Sequence, residues 1–486
     1  MTNVRIALSI AVVMISTTFQ IQCLAQPYIQ FGPGAGGPPS SGDCFKDFQF
    51  LRERFSWEQL QFFCQQWRSY SEAVDTNFTI VSTFTENQLT HIRSLSVNLN
   101  ATTNPNPMTV RKEYRTLSDN DRAIFHFVLR ALKQQKIDGV SKYDLLVMLS
   151  HPVLAPGAHI GAAFLPWHRE YLRTFERAMQ KINTFAVLPY WDPTLDHDLP
   201  NPADSLLWEP DFLGNGDGTV VSGPFAGWFL QPMHKLERNG TNVHTHEQAD
   251  EVLPLTRNLS ASGRLMSPDD ADYITSRSEF RQFSACLDLR LERMSRYVHE
   301  WVGGSMYDVY YSANDPVFFM FHCYLDYLWE EWRRNSSFEQ RVLGYPPNHE
   351  ACTKFHYASA PMSPFEPLVN ADGLSDSYTR LYYTYQLTPK CSPINPSCLS
   401  PLLFCHQASQ RCMSKIRHGG NCTGLAEYDS CYQSTCINGK CTSEGNAAPA
   451  PAVELLNTTP GALNSLANRP ASAPERLKVP WPRVNG

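Results

Sequence analysis

Two histidines nine positions apart, His159 and His168, bracket the run Ile-Gly-Ala-Ala-Phe-Leu-Pro-Trp, and His151 stands eight residues before the first of them. Neutral imidazole is a ligand that serves copper as well as zinc, and this open spacing is not the close-set Cys/His pattern of a zinc finger. His151 follows the apolar stretch Tyr143 to Leu149, so it falls where a helix ends; the ordinary reading of it alone is a helix-end histidine beside a turn. A second group lies far downstream in Asp315-Pro316-Val317-Phe318-Phe319-Met320-Phe321-His322-Cys323-Tyr324-Leu325-Asp326. His322 and Asp326 are four apart, which puts the carboxylate on the imidazole's face of a helix, where it is expected to orient the ligand. Phe318, one turn before His322, is placed to pack on the imidazoles, with plain core packing as the bland alternative. A centre that binds dioxygen between two copper ions needs several nitrogen ligands per metal, and these segments supply them as two half-sites.

The elements that must position these residues read as helices. Asp315-Pro316 is a good helix start. Ser118-Asp119-Asn120-Asp121 resembles a capping box with Asp in place of Glu, ahead of apolar Ile124, Val128, Leu129 and Leu132. His126 within that helix reads as an ordinary packed or surface histidine. His168 is expected to open a helix through Met179 with Phe175 and Ala178 on one face, and Arg281 to Trp301 to be helical throughout. Between Pro189 and Gly304 many Pro, Gly, Asp and Asn residues predict long ordered loops.

In its two histidine segments the sequence resembles the tyrosinases, members of the type 3 copper family that also holds phenol oxidases and haemocyanins. Tyr190-Trp191-Asp192, Trp301-Val302-Gly303-Gly304 and the Tyr383/Tyr385 pair also resemble recurrent family segments, and the likeness runs from about Val110 to Leu387. It implies a mainly α fold, an antiparallel four-helix bundle around two copper ions with long ordered loops. It further implies His151, His159 and His168 as ligands of the first copper, His299 and His322 as ligands of the second, and Asp326 and Phe318 around them. The Leu206-Leu207-Trp208 and Gly223 to Trp228 segments, with the cysteine-rich end, look most like the secreted tyrosinase-like proteins of molluscs and nematodes, bivalve shell-matrix forms above all. The implied chemistry is oxidation of phenols or o-diphenols to o-quinones with O2, on a small phenol or a protein tyrosine, for crosslinking or pigment.

The likeness breaks at one position. The family carries His-x-x-x-His before Trp-Val-Gly-Gly, and this chain reads Ser295-Arg296-Tyr297-Val298-His299. Serine is a short, poor ligand for copper, and between His246 and His322 the only histidine is His299. His244, His246, Met294 and Cys323 are the candidates for a replacement donor. Relatives with a second histidine before the last ligand differ here by Phe321, and the thioether crosslink of some members is absent because its cysteine position is Gly157. Three readings stay open: a phenol oxidase with impaired or rescued activity, a one-copper binding protein, or a structural matrix protein that keeps the fold.

Composition bounds the rest. A chain of 486 residues exceeds one ordinary core. Its net charge of −6 and lack of a Lys/Arg block give no sign of a nucleic-acid or anionic-membrane partner. Arg5, the apolar run Ile6 to Ile15 and small residues ending at Ala25 have the anatomy of a secretory signal peptide, so an extracellular protein is expected, and the seven Asn-x-Ser/Thr sequons become usable. Of fourteen cysteines, removal of Cys23 with that peptide leaves thirteen, so at least one thiol is free or pairs between chains. Cys44 and Cys64 are candidates for a disulfide. Eight cysteines from Cys391 to Cys441 form a disulfide scaffold, either a module for matrix protein partners or a stapled cap, with about 105 pairings open. The expected organisation is signal peptide 1–25, N-terminal extension 26–109, copper-binding domain 110–390, Cys-rich module 391–442 and a disordered tail 443–486.

Overall fold

The computed structural model describes residues 84–103, 108–152, 154–231, 237–238, 241–242, 252–286, 288–351, 353–392 and 394–443. The signal peptide, the Cys44/Cys64 pair, His244, His246 and the tail beyond Ser443 lie outside the described residues. The chain divides into two compact units, 1–198 with 207–389, and 199–206 with 390–486. The short piece Leu199–Leu206, which the sequence assigns to the larger domain, belongs to the second unit.

The larger unit is mainly helical; its described strands occur only in two-stranded pairings. In chain order its principal helices are α1 (Glu86–Arg93), α2 (Asp119–Gln134), α3 (Lys142–Leu149), α4 (Phe164–Gln180), α5 (Pro268–Thr275), α6 (Arg290–Val302) and α7 (Pro316–Arg334). Ser118 caps α2 as its sequence predicts, its hydroxyl accepting from the Asp121 amide at 3.1 Å. Helix α4 begins at Phe164, one turn earlier than predicted, which places His168 inside the helix rather than at its start. The predicted continuous helix from Arg281 is instead a 3-10 turn, Phe280–Gln282, then irregular chain, then α6. Asp288 ends the irregular stretch by accepting from the Arg290 amide at 3.0 Å. Among its described residues the loop-rich region 189–304 contains two antiparallel strand pairings, Asp217–Thr219 with Thr256–Asn258 and Glu237–Arg238 with Thr241–Asn242.

Helices α4 and α7 form the centre of this unit. Their apolar faces meet where Phe175 stacks on Phe319 at 3.6 Å between ring centroids, with Tyr171 5.3 Å from Phe319. Their buried polar faces meet at Asp326. It accepts from Arg169 Nε at 2.8 Å, from the Tyr383 and Tyr385 hydroxyls at 2.7 and 2.6 Å, and from Arg111 at 3.5 Å. Arg169 also bonds Glu330, and Arg111 bonds Glu176 at 2.9 Å. Strand Thr109–Arg111 pairs in parallel with Tyr383–Tyr385, which brings Arg111, Tyr383 and Tyr385 together at this cluster on α7. Every charge here is matched, as burial demands. At the start of α7, Asp315 caps the Val317 amide at 3.0 Å while gripping Arg257 through two bonds of 2.6 and 2.9 Å.

The second unit is stapled by Cys391–Cys405, Cys398–Cys412, Cys422–Cys436 and Cys431–Cys441. Each half carries four cysteines joined first to third and second to fourth around one hairpin, Leu403–His406 with Arg411–Ser414 and Thr435–Ile437 with Lys440–Thr442. Cys398, Cys405 and Cys412 follow Cys391 at steps of seven. The only free thiol among the described residues is the buried Cys323. No helix among them is long and apolar enough to cross a membrane.

Candidate metal centre

Four of the five predicted histidines form a run of ring contacts. His159 lies 5.2 Å from His168, His168 stacks on His322 at 4.3 Å, and His322 lies 5.2 Å from His299. His151 is buried just beyond the end of α3, its ring 5.3 Å from that of Tyr310. Phe318 covers the group, stacked on His322 at 4.1 Å and lying 5.7 Å from His299 and 6.1 Å from His168. Phe164 contacts His168 at 4.5 Å from the other side.

Backbone carbonyls fix which nitrogen is available in two of the rings, His168 and His299. His168 Nδ1 bonds the Phe164 carbonyl at 2.8 Å, one turn back on its own helix, which leaves Nε2 as the ligand atom. That Nε2 is buried with no hydrogen-bond partner, an unusual position for a polar atom. His299 Nδ1 bonds the Met306 carbonyl at 3.1 Å, so its Nε2 lone pair faces Nε2 of His322, 3.0 Å away. One proton between two nitrogens satisfies that contact, and a cation in its place would meet both lone pairs. Burial holds the rings neutral: it depresses the pKa of His168 and of His299 to about 3, and those of His159 and His322 well below the ordinary value. Neutral imidazoles, two of them anchored to backbone carbonyls and one with an orphaned Nε2, are donors suited to copper.

The centre is not a closed cage. Among the described residues, the trios of ligand atoms that gather within 4.8 Å are cysteine sulfurs committed to disulfides, Cys391/Cys398/Cys412 and Cys422/Cys431/Cys441. On α6 the position one turn before His299 is Ser295, buried at 4% exposure. Cys323 points away from the imidazoles, its sulfur 3.5 Å from the Tyr385 hydroxyl and 3.9 Å from the Leu188 carbonyl, and burial pushes its thiol up to about 12.

Asp326 corrects the sequence reading. Its oxygens are taken by Arg169, Arg111, Tyr383 and Tyr385 rather than by His322. The four-residue spacing sets its helical face, but two guanidiniums reaching across from neighbouring elements offer a charged partner that neutral imidazole does not. Burial alone would raise the Asp326 pKa; Arg169 and Arg111, with the two hydroxyls, outweigh it and hold the carboxyl below its usual range. Asp326 therefore braces α4 against α7, which carry His168 and His322. His126 is an ordinary packed residue, as expected, bonded to the Tyr114 hydroxyl at 2.9 Å.

Two residues near the site escaped the sequence reading. Glu292 accepts from the Ile160 and Gly161 amides at 2.5 and 2.8 Å, directly after His159. Burial pushes its carboxyl up to about 8, against the pull of those two donors. It stands seven residues before His299, so helical periodicity puts it on the same face, a signal present in the sequence. His356, fully buried with a pKa lowered by burial to about 4, packs on Gly161; no local pattern marks it.

A family model described as the common central domain of tyrosinase matches residues 82–335. The tyrosinase-like protein tyr-3 of Caenorhabditis elegans is 35% identical over 363 residues, covering 71% of this chain and 49% of that protein. Tyrosinase-like protein 2 of Margaritifera margaritifera is 32% identical over 329 residues, covering 64% of this chain and 68% of that protein. The chain thus spans about half the length of the nematode relative. Among solved structures, a polyphenol oxidase from Thermothelomyces thermophila aligns with a TM-score of 0.45 at 16% identity, covering 58% of this chain and 89% of that chain.

Proposed function

Because this chain belongs to the tyrosinase family, we propose that it is an extracellular type 3 copper oxidase that converts phenols or o-diphenols to o-quinones. The observation that carries the reading is the pair of imidazole nitrogens, His299 Nε2 and His322 Nε2, facing each other at 3.0 Å beside the orphaned Nε2 of His168. His151, His159 and His168 would hold the first copper, and His299 and His322 the second, where Ser295 leaves one position short. Helices α2, α4, α6 and α7 would make the four-helix bundle around them, within a copper-binding domain of about residues 110–390.

Copper held by these residues would supply the electron transfer by which two o-diphenols give up four electrons and four protons in all to one O2, yielding two quinones and two waters. The chain's part is to hold neutral imidazoles, shield them with Phe318 and Phe164, and keep α4 and α7 in register through Asp326. Four disulfides in the second unit fit an oxidising, extracellular compartment. Shell or matrix crosslinking, with the Cys-rich module as the contact for matrix partners, is the role this proposal adds. A purely structural protein is the less favoured reading, because such a protein has no need of buried, neutral, unpartnered imidazole.

The test is oxygen uptake by the full chain with an o-diphenol at saturating copper. Uptake with quinone formation is expected; a folded protein that binds two coppers yet consumes no oxygen would refute the proposal.

A further inference from the structure

The segment that carries His159 is irregular chain with an uncommon conformation. Ile160, a β-branched residue, has φ of +62°, the left-handed region that such side chains avoid. The surroundings therefore have to hold it there. Three contacts do so. The Ile160 side chain packs against Leu289 and Val309. A Cβ on Gly161 would come within 2.7 Å of the His356 ring, so that ring closes the loop from behind and position 161 has room only for glycine. The amides of Ile160 and Gly161, consecutive and both donating, converge on the two oxygens of Glu292 at 2.5 and 2.8 Å. Successive N–H groups converging on one carboxyl group form the concave arrangement known as a nest.

Glu292 sits in the first turn of α6, the helix that also carries Ser295 and His299. The carboxylate thus leaves the helix of the second half-site to grip the loop of the first. We propose that Glu292 is a positioning residue that locks the His159 loop onto α6, so that the two half-sites are set by one carboxylate and move together. The inference rests on the reading of His159 as a copper ligand only in its consequence for the metal, since the clamp itself is a property of the chain.

The experiment uses the full chain with Glu292→Gln, which keeps the volume but turns an amide N–H against one backbone donor, and Glu292→Asp, which keeps the charge at shorter reach. Amide hydrogen exchange without added copper is read first. Exchange of the segment around Ile160 and Gly161 should rise by about tenfold or more in Glu292→Gln, with α4 and α7 unchanged and Glu292→Asp intermediate. Copper(II) titration is read second: first-site affinity should weaken by about tenfold and the EPR spectrum of the bound ion should change, effects that loss of global stability alone would not produce. Unchanged exchange in this segment, or a uniform rise over the whole unit, would overturn the proposal. If Glu292→Gln does not fold, Glu292→Asp decides by the same two readings. Wild-type protein that takes up no copper would instead sink the proposed function, and the exchange result would still stand for or against the clamp.

Discussion

The two proposed half-sites are built differently. His159 of the first rides on irregular chain, fixed by hydrogen bonds that the next two amides donate to Glu292 and by the ring of His356. His299 and His322 of the second ride on helices, and α7 is pinned by a buried charge cluster. The first has its full set of expected histidines, with His168 on the braced helix α4 but His159 on a support that depends on a few polar contacts. The second has a stiff support and lacks one histidine. Ligand number and scaffold rigidity are thus separate properties, and losing one leaves the other in place.

The largest expected effect comes from breaking the brace that serves both. Asp326→Ala strips the partner from two buried guanidiniums and should destabilise the fold by about 3–5 kcal/mol, read by urea unfolding. A loss below about 1 kcal/mol would mean that water or Glu330 compensates, and that α4 and α7 do not depend on this carboxylate. Phe318→Leu is next, at about 1 kcal/mol from imperfect repacking against His322 and His299. It should loosen the second half-site more than the first, which hydrogen exchange in α7 against 156–163 would check; equal loosening would erase the contrast.

Acid acts on both. The folded pKa of His168 and of His299 is about 3, below the unfolded value of about 6.5, so the unfolded chain binds protons that the folded chain refuses. Stability should be full above about pH 6.5 and fall as pH drops toward 3, by at most about 1.4 kcal/mol per pH unit for each ring. Urea unfolding between pH 7 and 4 should give a shallower slope in His299→Asn than in the wild type; identical slopes would show that this ring is not held neutral by burial.

The histidine segments were legible because ligand chemistry demands particular residue types at fixed spacings, and the Asp315-Pro316 and Ser118 helix starts because capping is local. Asp326 shows where this stops. Its face of α7 follows from the four-residue spacing, yet its partners Arg169, Arg111, Tyr383 and Tyr385 come from distant chain, and pairing energies across elements leave no local trace. Glu292 lay on a readable helical face, but its partners are backbone amides, which any sequence would offer. The step of seven between Cys391, Cys398, Cys405 and Cys412 was equally visible, whereas the first-to-third, second-to-fourth pairing depends on hairpins that form around it.

Copper content after dialysis, compared between the wild type and Ser295→His, probes the incomplete second site: the wild type is expected to retain one copper per chain and lose the second, while Ser295→His retains two. A wild type that holds two coppers as firmly as the variant, or that holds none while folded, would contradict that expectation.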